Sequence, residues 1–238
     1  MRHILFALVA CLAGAAHAEP LKLVTEEYPP YNFTSNSVIT GASVEQVRRM
    51  MEAIDAPFTL EMLPWARALA LAESDPETCV FTTGHDDERD KRFKWVEPLL
   101  IDRMVMVRKA GSGIDPKTIE AAKRFTVGTQ RDDFSYSFLT VNDFPKIDLA
   151  ADLDATLKKL VNNRIDLMMT SEKTFEAMKA AGKPVEPALL LGGKRYGLAC
   201  NLATPDDLIA LMQGALDKLV ADGTQDRIFL DYGLRPDK

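Results

Sequence analysis

The chain has 238 residues, with 29 Lys and Arg against 35 Asp and Glu and a formal net charge of −6. An apolar fraction of 47% beside 27% charged residues is the composition of a globular protein, long enough for one large domain or two small ones. The acidic balance argues against nucleic-acid backbones and anionic lipid as partners, and past the N-terminus no apolar run reaches the roughly 18 residues of a membrane span. Residues 1–18 read as a secretory signal peptide: Arg2 and His3, the apolar run from Ile4 to Ala15, then Ala16-His17-Ala18 as the cleavage site. Cleavage after Ala18 predicts a periplasmic protein with no stable membrane insertion. It leaves Cys79, Cys200 and His85, which lack metal-ligand spacing, so neither a metal nor a cofactor is expected.

In chain order, Leu21 to Thr25 predicts a short strand, followed by a stiff aromatic loop from Glu26 to Phe33. Pro29 and Pro30 fix the backbone there, so Tyr28 and Tyr31 are presented rather than packed in a periodic face. Ser43 with Gln46 fits a capping box ahead of a helix from Val44 to Ile54. Phe58 to Leu63 alternates as a strand, and Pro64 opens a helix whose first turn carries Trp65 and Arg67. Cys79 to Gly84 reads as a buried strand, after which Asp86 caps one helical turn bearing Arg89. A strand end, free N–H groups and a guanidinium suit a carboxylate held bidentately, although a solvated charge within Asp86 to Arg92 is an equally simple reading.

Beyond Leu100, Met104 to Arg108 predicts a strand, Gly111-Ser112-Gly113 a flexible connection, and Asp115-Pro116 the start of a helix to Lys123. Phe125 to Thr129 predicts a strand, with Asp132 or Asp133 capping the next helix. Asp154 to Asn162 is helical, Ile165 to Thr170 a buried strand, and Ser171 the cap of a helix to Ala181. Tyr196 to Asn201 returns as a strand, the Thr204-Pro205-Asp206-Asp207 corner opens a long helix to Ala221, and Asp226 to Tyr232 forms a last short helix.

The stretch CVFTTGHDDERDKRFKWVEPLL from Cys79 resembles the first-lobe signature of periplasmic solute-binding proteins, specifically bacterial extracellular solute-binding family 3, the polar-amino-acid type. Trp95-Val96-Glu97-Pro98 occupies the family's Phe-Ser-x-Pro place, and Ile165-Asp166-Leu167 its Ile-Asp-Ala strand. The resemblance implies an α/β, two-lobed periplasmic-binding-protein-like fold of type II with two crossing hinge strands. Lobe I would hold residues 19–103 plus 197–238, and lobe II residues 104–196.

The same resemblance implies a site. Arg89 would grip the ligand's carboxylate beside Thr82, Thr83 and Gly84, Tyr28 would stack over the ligand, and Trp65 and Arg67 would open onto the same cleft. From lobe II, Gln130-Arg131-Asp132-Asp133 stands where the family has Gln-x-Gly-Thr, and its two carboxylates would repel an anion beside a helix N-terminus. Ser171 stands where amino-acid binders carry the acid that pairs with an α-ammonium. A buried ammonium without an acceptor costs several kcal/mol, which argues against an ordinary α-amino acid.

The implied function is capture of a small, carboxylate-bearing polar solute by a monomer, and delivery to the membrane subunits of an ABC transporter. Two rivals share the scaffold: a periplasmic enzyme of the cyclohexadienyl-dehydratase type, with Glu172 or Asp133 as proton donor, and a sensory module that does not transport. If the strands carrying Cys79 and Cys200 are neighbours, a disulfide closes a loop of over a hundred residues; two inert buried thiols are the alternative.

Overall fold

The computed structural model describes residues 19–234, so the signal-peptide reading of residues 1–18 lies outside the described residues. The chain opens with β1 (Leu21–Thr25), the hairpin β2 (Phe33–Ser35) and β3 (Val38–Thr40), α1 (Ala42–Ala53), β4 (Phe58–Met62), α2 (Trp65–Ser74) and β5 (Thr78–Gly84). A 3₁₀ turn at Arg89–Lys91 leads into β6 (Lys94–Lys109), then α3 (Ile119–Ala122), β7 (Val127–Gln130), α4 (Phe134–Val141) and β8 (Ile147–Ala150). The remainder is α5 (Leu153–Val161), β9 (Leu167–Ser171), α6 (Glu172–Ala180), β10 (Val185–Cys200), α7 (Asp206–Ala221) and α8 (Thr224–Asp231).

Eight strands form one sheet in the order β4-β1-β5-β10-β6-β9-β7-β8. At one end β1 lies parallel between β4 and β5, and at the other β7 lies parallel between β8 and β9. Between these parallel halves, β6 and β10 run antiparallel to each other for 16 residues apiece and pass from one half into the other. They are the two crossing hinge strands of a two-lobed α/β fold.

Both crossing strands are longer than the sequence predicts: β6 begins ahead of Met104, running through Pro98, and β10 begins ahead of Tyr196. The register shifts between Tyr196 and Leu198, which places a bulge at Pro98, opposite Gly197, where a residue without an N–H is tolerated. A Cβ on Gly197 would lie 2.8 Å from both the Glu97 side chain and the Val96 carbonyl, so only glycine lets the strands pass this closely.

Side-chain alternation splits the first lobe's core into two layers. Leu23, Cys79, Phe81, Leu198 and Cys200 point to one face and pack on α1 and α7 through Val47, Met50, Met51, Met212 and Leu216. Val24, Val80 and Ala199 point to the other, against Trp65, Ala68, Leu69 and Ala72 of α2. The second lobe buries Val105, Val107, Val127, Leu157, Leu160, Leu167 and Met168 around β6, β7, β9 and α5. In the first lobe, Cys200 sits directly opposite Cys79 across the β5–β10 ladder, and the two are joined by a disulfide with a Cα–Cα distance of 3.9 Å. The bridge spans 121 residues of sequence.

Two helix starts differ from the sequence reading. Gly41, at φ 127°, precedes α1, and a Cβ there would lie 2.2 Å from the Tyr31 carbonyl oxygen. The helix therefore begins at Ala42. Ser43 is drawn into the buried first turn, where its hydroxyl has no partner, and Gln46 donates to the Ala42 carbonyl instead of closing a capping box. The helix after Asp115-Pro116 shrinks to the single turn of α3, because Thr118, not Asp115, accepts the N–H of Ala121. Asp133 and Ser171 do cap α4 and α6, through the N–H groups of Ser135 and Thr174.

Candidate functional site

The C-terminal ends of β1 and β5 in the first lobe face the N-terminal ends of α4 and α6 in the second. This is the crevice where open α/β sheets collect ligands, because strand ends and helix N–H groups converge there. Arg89 is held at its edge by the turn that follows β5, where the Asp86 carboxylate accepts the Arg89 backbone N–H at 2.9 Å. The side chain is only 3% exposed, which removes the solvated-charge reading.

Its guanidinium is already bonded. One arm donates to the Gly84 carbonyl at 2.8 Å and the other to the Asp132 carbonyl at 2.5 Å, across the cleft. The Trp65 indole Nε1 donates to the same Asp132 oxygen at 2.8 Å, and the guanidinium carbon lies 5.4 Å from the Trp65 ring centroid. Asp132 reaches this position with a left-handed backbone, φ 57°, at the place of the family's glycine. Its carboxylate stays exposed, so it is the main chain of the second lobe that meets the Arg89 guanidinium.

A second seam lies deeper. The Tyr28 hydroxyl sits 3.0 Å from Thr170 Oγ1 and accepts the Ser171 N–H at 2.9 Å. Tyr31, 6.3 Å from Tyr28 between ring centroids, donates to Asp102 at 2.8 Å, and the same carboxylate oxygen accepts the Lys173 N–H at 3.1 Å. Burial raises the Asp102 carboxyl above its ordinary range, against the pull of these donors. Phe134 packs edge-on to Tyr196, and a Cβ on Gly84 would lie 3.0 Å from the Phe134 ring.

Glu26 and Asp133 are, with Asp102, buried acids of the cleft. Gln130 Nε2 donates to Glu26 Oε2 at 2.5 Å from the opposite lobe. Burial, reinforced by the charge of Asp133, pushes the Glu26 carboxyl up to about 8. Asp133, capping α4, is also raised by burial, while its bonds to Ser135 and the nearby Arg89 charge oppose the shift. Burial lowers the Arg89 guanidinium and, beside Phe134, the Lys194 ammonium. Two buried hydroxyls at the cleft, Thr82 Oγ1 and Tyr196 Oη, have no protein partner. Thr82 also adopts φ 60°, a strained conformation for a β-branched residue.

Of the residues singled out from sequence, Tyr28, Trp65, Thr82, Gly84, Arg89, Gln130, the Asp132 backbone and Ser171 converge on this cleft. Thr83 turns back to the Val80 carbonyl, and Arg67 and Arg131 are exposed. Glu172 forms a two-pronged ion pair with Arg103, at 2.7 and 2.9 Å. Glu26, Phe134, Lys194 and Tyr196 were not singled out. Glu26 carries one usable signal: it is the first residue beyond β1, at the strand end that meets the crevice. Among the described residues, no group of three or more His, Cys, Asp and Glu side chains could hold a metal ion, and no helix is long and apolar enough to cross a membrane.

Two lobes on two crossing strands, meeting over a buried polar cleft, define the type II periplasmic-binding-protein class. The chain belongs to the bacterial extracellular solute-binding proteins, family 3, whose model matches residues 21–235. A probable histidine-binding protein of Neisseria gonorrhoeae is 24% identical over 234 residues, covering 92% of this chain and 86% of the relative. Among solved structures, a histidine kinase sensor domain with similarity to periplasmic binding proteins superposes with a TM-score of 0.83 at 17% identity, covering 92% of this chain and 98% of its own. The arginine-, lysine-, histidine-binding protein ArtJ of Geobacillus stearothermophilus gives 0.81 at 19% identity, covering 92% and 97%.

Proposed function

We propose that this protein is a periplasmic solute-binding protein that captures a small polar solute between its lobes and delivers it to an ABC transporter. The observation that carries the reading is the double seam across the cleft, Arg89 and Trp65 onto the Asp132 carbonyl and Tyr28 onto Thr170 and Ser171. These bonds join groups on opposite lobes, so they exist only in the closed form. A solute touching both lobes shifts the population toward it. The unpartnered hydroxyls of Thr82 and Tyr196 are donors and acceptors that such a solute would satisfy.

Arg89 bears on the carboxylate expected of the solute. A carboxylate reaching the guanidinium must displace the Asp132 carbonyl and sit beside the Asp133 acid. A second reading, an enzyme on the same scaffold, is favoured by one observation: Glu26 is a buried acid with the raised pKa that a proton donor needs.

Native mass spectrometry of protein exported to and purified from a bacterial periplasm tests the capture reading. A discrete small mass, retained in the native spectrum and released on unfolding, is the expected result. Protein free of any such mass, unchanged in melting temperature by polar amino acids, amines or carboxylates alike, would defeat it. A product accumulating from an added cyclohexadienyl carboxylate would favour the enzyme.

A further inference from the structure

Beside the Arg89 seam, and sharing Glu26 with it, lies a cavity of about 700 Å³, within the range of cavities that hold drug-sized molecules. The first lobe contributes Pro29, Met62 and Leu63 to its walls, and the second Leu153, Leu157 and Met178. Charge is distributed unevenly around this apolar lining. Glu26, Glu27, Asp152 and Asp154 are acidic, whereas Lys183 is the one basic residue among those lining it. We infer that this cleft takes a small organic cation, an ammonium group on an apolar body, with the buried Glu26 carboxylate as its counter-ion. The inference rests on the solute-capture reading and names the class of solute.

The other three acids each have a task of their own. Glu27 accepts the Thr34 N–H, Asp152 caps α5 through the Ala155 N–H, and Asp154 pairs with Lys158 at 2.6 Å. They set a negative potential at the rim, which draws in a cation and repels an anion. Glu26 differs from them in being 7% exposed, with Oε2 fixed by Gln130, so Oε1 is the oxygen an ammonium would meet. No guanidinium competes for it. Arg89, the nearest buried cation, is bonded to Gly84 and Asp132 and faces Asp133. The apolar lining supplies the remaining affinity, at roughly 25 cal/mol per Å² of solute surface covered.

A proton accompanies binding. Burial, Asp133 and Asp152 all keep Glu26 protonated near neutrality, with Arg89 and Gln130 opposing them. An entering ammonium reverses that balance, so the carboxyl loses its proton to solvent while the ammonium keeps its own. Amine binding therefore releases up to one proton per site, and it tightens as pH rises from about 6 toward about 8.

Isothermal titration at pH 7, in phosphate and in Tris, with phenylbutylamine and hexylamine as probes and phenylbutyrate and heptanoate as carboxylate counterparts, tests this. The amines should bind, the carboxylates should bind at least tenfold more weakly, and the amines' apparent enthalpy should differ between the buffers by close to the difference between the two buffers' ionisation enthalpies. Glu26→Gln, checked for folding by circular dichroism, should weaken the amines at least tenfold and abolish the buffer dependence. The wild-type buffer comparison does not depend on that variant. The inference is overturned if the carboxylates bind as well as the amines, if Glu26→Gln binds the amines undiminished, or if the amines do not bind. In the first case solute capture stands and only the class falls. If polar amino acids and both probe sets all fail to bind, capture falls as well.

Discussion

At the scale of single residues, the cleft is built from charges that cost stability. Arg89 and Glu26 are both withdrawn from water, yet each keeps a partner on the other lobe, the Asp132 carbonyl for one and the Gln130 amide for the other. Such groups are expensive to bury and are concentrated where binding occurs. Glu26 has a measurable thermodynamic signature. Its folded pKa, about 8, lies above its ordinary 4.5, so between those values the folded chain holds a proton that the unfolded chain has lost. Stability contributed by that proton is fully present below about 4.5 and is lost as pH rises through about 8, with a slope of at most about 1.4 kcal/mol per pH unit. The raised carboxyls of Asp133 and Asp102 act with the same sign. In urea unfolding from pH 5 to pH 9, Glu26→Gln should therefore flatten the fall in stability by about one proton without removing it entirely. A slope equal to wild type would mean that Glu26 is not buried as a neutral acid.

At the scale of elements, the crossing strands position everything else. β10 places Tyr196 opposite both Gly84 and Leu100, and four residues on it brings Cys200 opposite Cys79. The disulfide therefore ties the return strand into the first lobe's core, beside Leu23 and Phe81. Closing so long a loop restricts the unfolded chain, and chain-entropy arguments give about 4–5 kcal/mol as an upper limit. Unreduced, unfolded protein should show no free thiol by Ellman titration, and reduction should lower the melting temperature; two titratable thiols per chain would exclude the bridge.

The similar depth of the two cysteines was legible in the sequence, but their adjacency stood only as a condition there, because local pattern does not contain strand order. The strand–helix alternation, the Ser171 cap and, as one of two candidates with Asp132, the Asp133 cap were legible because short-range hydrogen bonding decides them. What local pattern misjudged was decided by tertiary packing. Gly41 fits against Tyr31 and starts α1 one residue before Ser43, and a bulge opposite Gly197 carries β6 through Pro98. The Asp132 carbonyl against the Arg89 guanidinium was beyond reach altogether, since side-chain type says nothing of where a main-chain oxygen points.

At the scale of the whole molecule, two lobes joined by two strands have one soft degree of freedom, the angle between them. Lobe-to-lobe bonds by Tyr28, Trp65, Arg89 and Gln130 describe its closed end. Solute capture requires that this end be favoured by a ligand rather than fixed by the fold. Spin labels at the exposed positions Ala70 on α2 and Tyr136 on α4, one in each lobe, report the angle as a distance distribution while leaving the cleft residues untouched. The comparison is between exported, disulfide-intact protein as purified and the same protein unfolded in denaturant, dialysed free of small molecules and refolded. The as-purified protein should give a narrow short distance. The refolded protein should add a longer population, which collapses when the released low-molecular-weight fraction is returned. Identical distributions in all three samples would contradict ligand-driven closure, and with it the reading of this cleft as a solute trap.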